Sequence, residues 1–285
     1  MSQHRSLAAC VEHVEAQAWA QLQLALPASV KEELQVQVCH RGNAVWLATP
    51  GADVAAVNRV MGLGFDQPLT ANELRSIQDW FTDACVRRWH IEWSPEARPA
   101  DAEQLFAHAG AARKPPTVKL CRALVTEPET DVPPQAFTVR EIGVEDAARF
   151  DATVAGPLGV PDQSAPGIRS TIGHAGWHFY LAFEGDDPIA GATMFVLGEG
   201  AWFGLAATAP RARRRGAQTA LLNRRLRDAY RLGCRWVSAD TQPETAASPN
   251  PSLRNMGRVG FEILYYRPKY LFDDSGSPRA ARPSA

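Results

Sequence analysis

The stretch Ala206-Ala-Thr-Ala-Pro-Arg-Ala-Arg-Arg-Arg-Gly-Ala-Gln-Thr-Ala-Leu-Leu222 constrains this chain more than any other. It passes from a buried strand through an arginine-rich turn, punctuated by Gly216, into an amphipathic helix. The first amides of a helix have no partner within it, and the aligned peptide dipoles leave about half a positive charge there, so an anion completes such a corner. Gly216 lets the backbone come close to that anion, and Arg213, Arg214 and Arg215 surround it with mobile charge. A pyrophosphate suits this geometry.

The 285 residues, 45% of them hydrophobic, suffice for two modest domains or one large one. A net charge of −1 gives the whole molecule no field for polyanions, so basic function has to come from the arginines clustered between Arg211 and Arg235. The cysteines, Cys10, Cys39, Cys85, Cys121 and Cys234, are odd in number and form no C-x-x-C pair; they read as reduced core thiols. No apolar run reaches the length of a membrane span, and the N-terminus lacks a signal-peptide core. A soluble, cytoplasmic protein is expected, without nucleic acid or membrane as partner and with no metal site, since no His/Cys/Asp cluster has ligand spacing.

Residues 126–135, TEPETDVPPQ, hold three prolines and three acids in ten positions and read as a linker. It separates a first half, 1–125, from a second, 136–272, and 273–285 reads as a frayed tail. In the second half a strand over 137–141 precedes a helix over about 144–154 and a short helical segment over 163–173. Strands at 177–184 and 188–197 are joined by Gly185-Asp186-Asp187, a hairpin signal. A third antiparallel strand covers 201–207. The helix over 217–232 buries Leu222, Leu226, Ala229, Tyr230 and Gly233 and exposes Arg224, Arg227 and Arg231. A strand over 234–241 follows, so that strand, helix and strand make a crossover with parallel neighbours. Asn250-Pro251 then caps a helix ending near Gly260, and 261–266 is the last strand.

The first half echoes this plan. Arg88-Trp89-His90-Ile91-Glu92, a loop and the segment from Ala102 to Gly110 parallel Arg235-Trp236 to Asp240, a loop and the segment from Ser252 to Gly260; both run on into Lys119-Leu120 or Lys269-Tyr270-Leu271. Where the phosphate turn of the first copy should fall stand Gly62-Leu63-Gly64-Phe65 and a helix start at Thr70, with Arg75 nearby, and no nucleotide is expected there.

The second half resembles the GNAT superfamily of acyl-CoA-dependent N-acetyltransferases. Arg213-Arg-Arg-Gly216-Ala217-Gln218 matches the Arg/Gln-x-x-Gly-x-Gly/Ala hallmark at its first two fixed positions and departs at the third. Asn250 with Gly260-Phe261 matches the spacing of the family's later helix. The resemblance covers about 137–272, with a degenerate relative over about 35–124. It implies an α/β (α+β) fold of two tandem GNAT-like domains, each a mixed, mostly antiparallel twisted sheet flanked by helices. It also implies acetyl-CoA as cosubstrate, its pantetheine arm beside Leu205, Ala206, Ala207 and Thr208. Its pyrophosphate would lie on the amides of Arg213, Arg214, Arg215, Gly216, Ala217, Gln218 and Thr219. Asn250 would face the pantetheine end or serve as a helix cap.

Acetyl transfer to an amine requires a neutral amine, a polarised thioester carbonyl and a proton for the departing thiolate. An alkyl ammonium, with a pKa of about 10, must first lose a proton. A backbone amide around Ala206 is the candidate oxyanion donor. The position at which family members carry a tyrosine as general acid is Met256 here, which leaves Ser252, Tyr265 or Tyr266 as substitutes, or unassisted release. The strand 201–207 carries no carboxylate, so Asp240, ahead of Glu244, is the candidate base. His174 and His178 flank the acceptor side; Trp177, Trp202 and Phe203 form an aromatic wall or fill the core.

The expected activity is N-acetylation of a primary amine, on a small molecule or peptide, through a ternary complex, by a monomer or homodimer. Two rivals remain: an acyl-CoA sensor or scaffold without turnover, and a nucleic-acid surface on nine arginines opposed between Arg211 and Arg235 by Asp228 alone.

Overall fold

A computed structural model describes residues 6–52, 54–128, 137–158 and 165–274. Most of the linker, from 129, and the tail from 275 lie outside them. A long helix α1 (Leu7–Leu24), capped by the Ser6 hydroxyl on the Ala9 amide, leads through α2 (Ala28–Glu33) into strands β1 (Gln37–Arg41), β2 (Ala44–Ala48) and β3 (Arg59–Met61). Helix α3 (Ala71–Asp83), capped by Thr70, crosses over to β4 (Arg88–Glu92), and α4 (Ala102–His108) leads to the long β5 (Ala112–Ala123).

The second half repeats the plan. Strand β6 (Thr138–Glu141) is followed by one helical run whose pitch changes from 3-10 (Val144–Asp146) through α5 (Ala147–Phe150) to π (Asp151–Ala155), and then by α6 (Ala165–Ser170). The meander β7 (Trp177–Glu184), β8 (Asp187–Leu197) and β9 (Gly200–Thr208) precedes α7 (Ala217–Arg231), β10 (Trp236–Thr241), α8 (Pro251–Arg258) and β11 (Glu262–Asp273). The last strand runs well beyond the expected end at 266.

The strands form one eleven-stranded sheet in the order β1-β2-β3-β4-β11-β5-β10-β9-β8-β7-β6. Neighbours are antiparallel except β3 with β4 and β9 with β10, the two pairs that α3 and α7 connect as crossovers. The two halves exchange their final strands. Strand β11 pairs with β4 of the first half, β5 pairs with β10 of the second, and β5 and β11 lie against each other at the centre. In this register Lys119 stands opposite Asp240 and Lys269 opposite Glu92, so the internal echo is also a structural one.

Strand alternation divides the core between two faces. On one face α7 and α8 cover Met194, Phe203, Val237 and Leu120, while α3 and α4 cover Trp89, Ile91 and Tyr270. On the other, α1 crosses both halves, packing Val14, Ala18 and Leu22 with Phe179, Phe195 and Trp202, and Ala16 and Ala20 with Val45, Leu47 and Met61. Cys121 and Cys234 are core thiols as expected, whereas Cys10 and Cys39 are half-buried and Cys85 is exposed.

A cationic cavity between strand β9 and helices α7 and α8

Gly216 takes the left-handed conformation, φ +87° and ψ 1°, as N-cap of α7, and Arg214 two residues earlier has φ +61°. A residue with a β-carbon is strained there, which is why glycine turns the chain into the helix. No side chain caps α7, so its first amides remain available to a ligand. Upstream, β9 carries a bulge. Gly191 pairs with Ala207 and Thr193 with Gly204, so that Ala192 alone opposes Leu205 and Ala206, and Leu205 is turned to φ +44°. The parallel ladder with β10 runs only as far as Ala239 opposite Phe203, and beyond it the two strands part.

Between this bulge, the α7 corner and α8 lies a cavity of about 730 Å³. Of the residues singled out from sequence, Ala206, Ala207, Thr208, Arg213, Arg214, Gly216, Ala217, Gln218, Thr219 and Ser252 line it. Three of the expected coenzyme contacts do not. Leu205 packs against the α1-side core, Arg215 turns outward to pair with Glu184, and Asn250 caps α8, accepting from the Ser252 and Leu253 amides at 3.0 and 3.2 Å. Pro157, Leu158, Gly191, Arg225, Asn255 and Arg258 line the cavity without a sequence signal having marked them. Four arginines and no carboxylate or histidine face this space among the described residues.

A hydrogen-bond relay crosses from α8 to α7. Arg258 Nη1 donates to Asn255 Oδ1 at 2.7 Å, Asn255 Nδ2 to Gln218 Oε1 at 2.9 Å, and Gln218 Nε2 to Ser252 Oγ at 2.6 Å. Gln218, the residue that departs from the hallmark, is thus the middle of a tie between the two helices. Because Ser252 Oγ accepts from Gln218, its own proton is free to point elsewhere. Met256 is buried in the core beneath α8.

The other two candidates for chemistry sit elsewhere. Tyr265 is buried, its hydroxyl donating to Glu12 Oε1 at 2.7 Å, and burial followed by the Glu12 charge pushes its pKa far above the ordinary phenol value. It is a member of a buried ionic network and does not line the cavity. Arg267 meets Glu12 at 3.0 Å, Glu15 at 2.8 Å and Glu92 at 2.7 Å, and Lys119 is tied to Glu15. Asp240 stands at the margin of that network, 3.9 Å from Lys119 Nζ, and accepts from Trp202 Nε1 at 3.1 Å. Burial, reinforced by Glu15, raises its pKa. Glu244 pairs with Arg254, and His178 with Glu141 at 2.8 Å, both away from the cavity.

The arginine cluster is largely neutralised at its edges. Arg211 pairs with Asp187, Arg215 with Glu184, Arg224 with Asp228, Arg231 with Glu127 and Arg235 with Glu199. Of the other four arginines between Arg211 and Arg235, Arg213, Arg214 and Arg225 line the cavity and Arg227 does not. In the first half the segment around Gly64 is closely packed. A β-carbon on Gly64 would lie 2.6 Å from the Trp93 ring and 2.8 Å from the Arg98 carbonyl, and Thr70 Oγ1 already accepts from the Glu73 amide of α3 at 3.1 Å.

Among the described residues no helix is long and apolar enough to cross a membrane. Residues 153–261 match the family model described as Acetyltransferase (GNAT) family. No curated protein matches the sequence. Among solved structures, a GCN5-related N-acetyltransferase from Kribbella flavida is similar with a TM-score of 0.66 at 16% identity, over 94% of this chain and 96% of that one. A tandem GNAT protein from the clavulanic acid biosynthesis pathway is similar at 0.62 and 15% identity, over 93% and 96%. A GCN5-related N-acetyltransferase from Sphaerobacter thermophilus is similar at 0.56 and 14% identity, over 81% and 80%. Residues 153–261 therefore match a domain of the acetyltransferase (GNAT) family, and the chain is similar in fold to a tandem GNAT protein.

Proposed function

We propose that the second half is an acyl-CoA-dependent N-acyltransferase, with acetyl-CoA as the expected donor and a primary amine on a small molecule or peptide as acceptor. The observation that carries this reading is the left-handed corner at Gly216, opening onto a cavity with four arginines and no acid, beside a bulged strand. The amides following Gly216 and the side chains of Arg213, Arg214 and Arg258 suit a pyrophosphate and a further phosphate. The small side chains of Ala206 and Ala207 leave room for an extended arm beside β9.

The bulge turns backbone amides out of the β8 ladder, where they can meet the oxygen of a thioester carbonyl as it gains charge. In the transfer the amine nitrogen bonds to the acyl carbon, the carbon–sulfur bond breaks, and the thiolate leaves with a proton. Ser252, held by Gln218 with its own proton free, is placed to supply that proton. Met256, packed in the core, takes no part. For the proton lost by the amine, Asp240 lies beyond the point where β9 and β10 part, and its raised pKa suits a group that takes up a proton.

A second reading, a CoA-binding sensor without turnover, is favoured by the buried Met256 and the absence of a carboxylate from the cavity lining among the described residues. Thiol release from acetyl-CoA with a panel of amines separates the two. Binding itself is tested by thermal shift. Acetyl-CoA at a hundredfold excess over its Kd should add about 2.7 kcal/mol of stability, and Gly216→Glu, which sets a carboxylate against the phosphates, should erase that gain. A ligand-induced shift that survives the substitution would refute the assignment of the corner.

A further inference from the structure

Arg225 is not among the arginines assigned to phosphates above and is not paired with any acid among the described residues. It projects from the inner side of α7, is 2% exposed, and lines the cavity. Its Nε donates to the Leu221 carbonyl at 3.2 Å, its Nη1 to the Thr193 carbonyl at 2.9 Å, and its guanidinium lies 4.4 Å from the centre of the Phe203 ring. The remaining terminal nitrogen, Nη2, makes no hydrogen bond among the described residues, and the side chain borders the cavity.

The position of this cation along the cavity is informative. Thr193, which accepts from it, pairs with Gly204, the residue just before the β9 bulge. The Arg225 Nε reaches back to Leu221, five residues or about 7.5 Å of helix beyond Gly216, so the guanidinium lies between the phosphate corner and the β9 bulge. Beside that bulge is where the acyl group of a bound thioester would lie. Burial lowers the Arg225 pKa to about 9, so the group keeps its charge at neutral pH. A buried cation without a counter-ion is costly unless an anion arrives.

We infer that Arg225 is a specificity-determining residue and that the preferred donor carries a free carboxylate on its acyl group, a dicarboxylic acyl-CoA of the malonyl or succinyl kind. The Nη2 group pairs with that carboxylate, which stays a spectator during transfer. The inference rests on the acyl-CoA reading of the cavity and refines acetyl-CoA to a donor class.

The test is isothermal titration of the full chain with free coenzyme A, acetyl-CoA, malonyl-CoA and succinyl-CoA. At least one dicarboxylic ester should bind about tenfold or more tightly than acetyl-CoA, with free coenzyme A as the reference. In Arg225→Met the ratio between the dicarboxylic ester and acetyl-CoA should fall to about one. Equal or tighter binding of acetyl-CoA by the natural chain overturns the inference and leaves the acyl-CoA reading standing. Failure of all four to bind overturns both. Should Arg225→Met not fold, the comparison of esters on the natural chain still decides, and Arg225→Lys, which keeps the charge, should retain the preference.

Discussion

Substituting the two glutamates of α1 should have unequal consequences, although both are buried and both touch Arg267. Glu15 accepts from both terminal nitrogens of Arg267, at 2.8 and 3.1 Å, and is tied to Lys119. The two cations overcome the effect of burial and hold its carboxyl at about 2, against an ordinary value of 4.5. That difference corresponds to about 3 kcal/mol of stability at neutral pH. It lies within the range of about 3–5 kcal/mol for removing one partner of a buried ion pair. Glu12 behaves in the reverse way: burial is the largest influence and raises its pKa. The neutral amide introduced by Glu12→Gln can accept from Arg267 and donate to a rotated Tyr265 hydroxyl. In urea melts at pH 7, Glu15→Gln should therefore lose about 3 kcal/mol and Glu12→Gln less than about 1.5 kcal/mol. The acid limb supplies a second check. The Glu15 contribution is complete above its unfolded pKa and is lost as pH falls from 4.5 towards 2, so Glu15→Gln should show a shallower decline across that window. The Glu12 contribution has the opposite sign, being largest at low pH and lost as pH rises through its folded pKa. Equal losses from the two variants, or a larger one from Glu12→Gln, would refute this division of charge.

Beyond the tests of Gly216 and Arg225 above, two expectations follow from the placement of Ser252 and of the exchanged strands. Ser252→Ala should lower kcat by about ten- to a hundredfold with little change in KM, read as thiol release under saturating amine; unchanged kcat would assign protonation of the thiolate to water. A fragment of residues 137–274 should fail to give a cooperative melt, because β5 is absent from between β10 and β11 and α1 no longer covers Phe179 and Trp202. Coexpression with residues 6–128 should restore the melt, and a fragment that folds alone would show that β11 can close directly on β10.

The elements around the Gly216 corner are legible in the sequence because each carries a local signal: the hairpin turn at Gly185, the arginine turn, and the Asn250-Pro251 cap all act within a few residues. Arg225 escapes a reading in which periodicity is counted on apolar residues, because an arginine beside Arg224 and Arg227 passes for surface. A signal is present, since Arg225 lies four residues from both Leu221 and Ala229 and so shares their buried face. The roles of Tyr265 and Asp240 cannot be read locally, because their partners Glu12 and Glu15 come from a helix more than two hundred residues away in sequence. The exchange of final strands is hidden for a different reason. When two copies carry equivalent last strands, local pattern satisfies either edge equally, and the choice rests on long-range pairing alone.

That exchange also makes the first half matter to the surroundings of the cavity in the second. Strand β5 belongs to the first half in sequence, yet it sets Lys119 opposite Asp240, and α1 brings Glu15 to the same place. The pKa of Asp240 is raised by burial and by Glu15 and opposed by Lys119 and Arg267, so three of these influences come from α1, β5 and β11 at the junction. Asp240 in turn holds the Trp202 indole on the strand that carries the bulge.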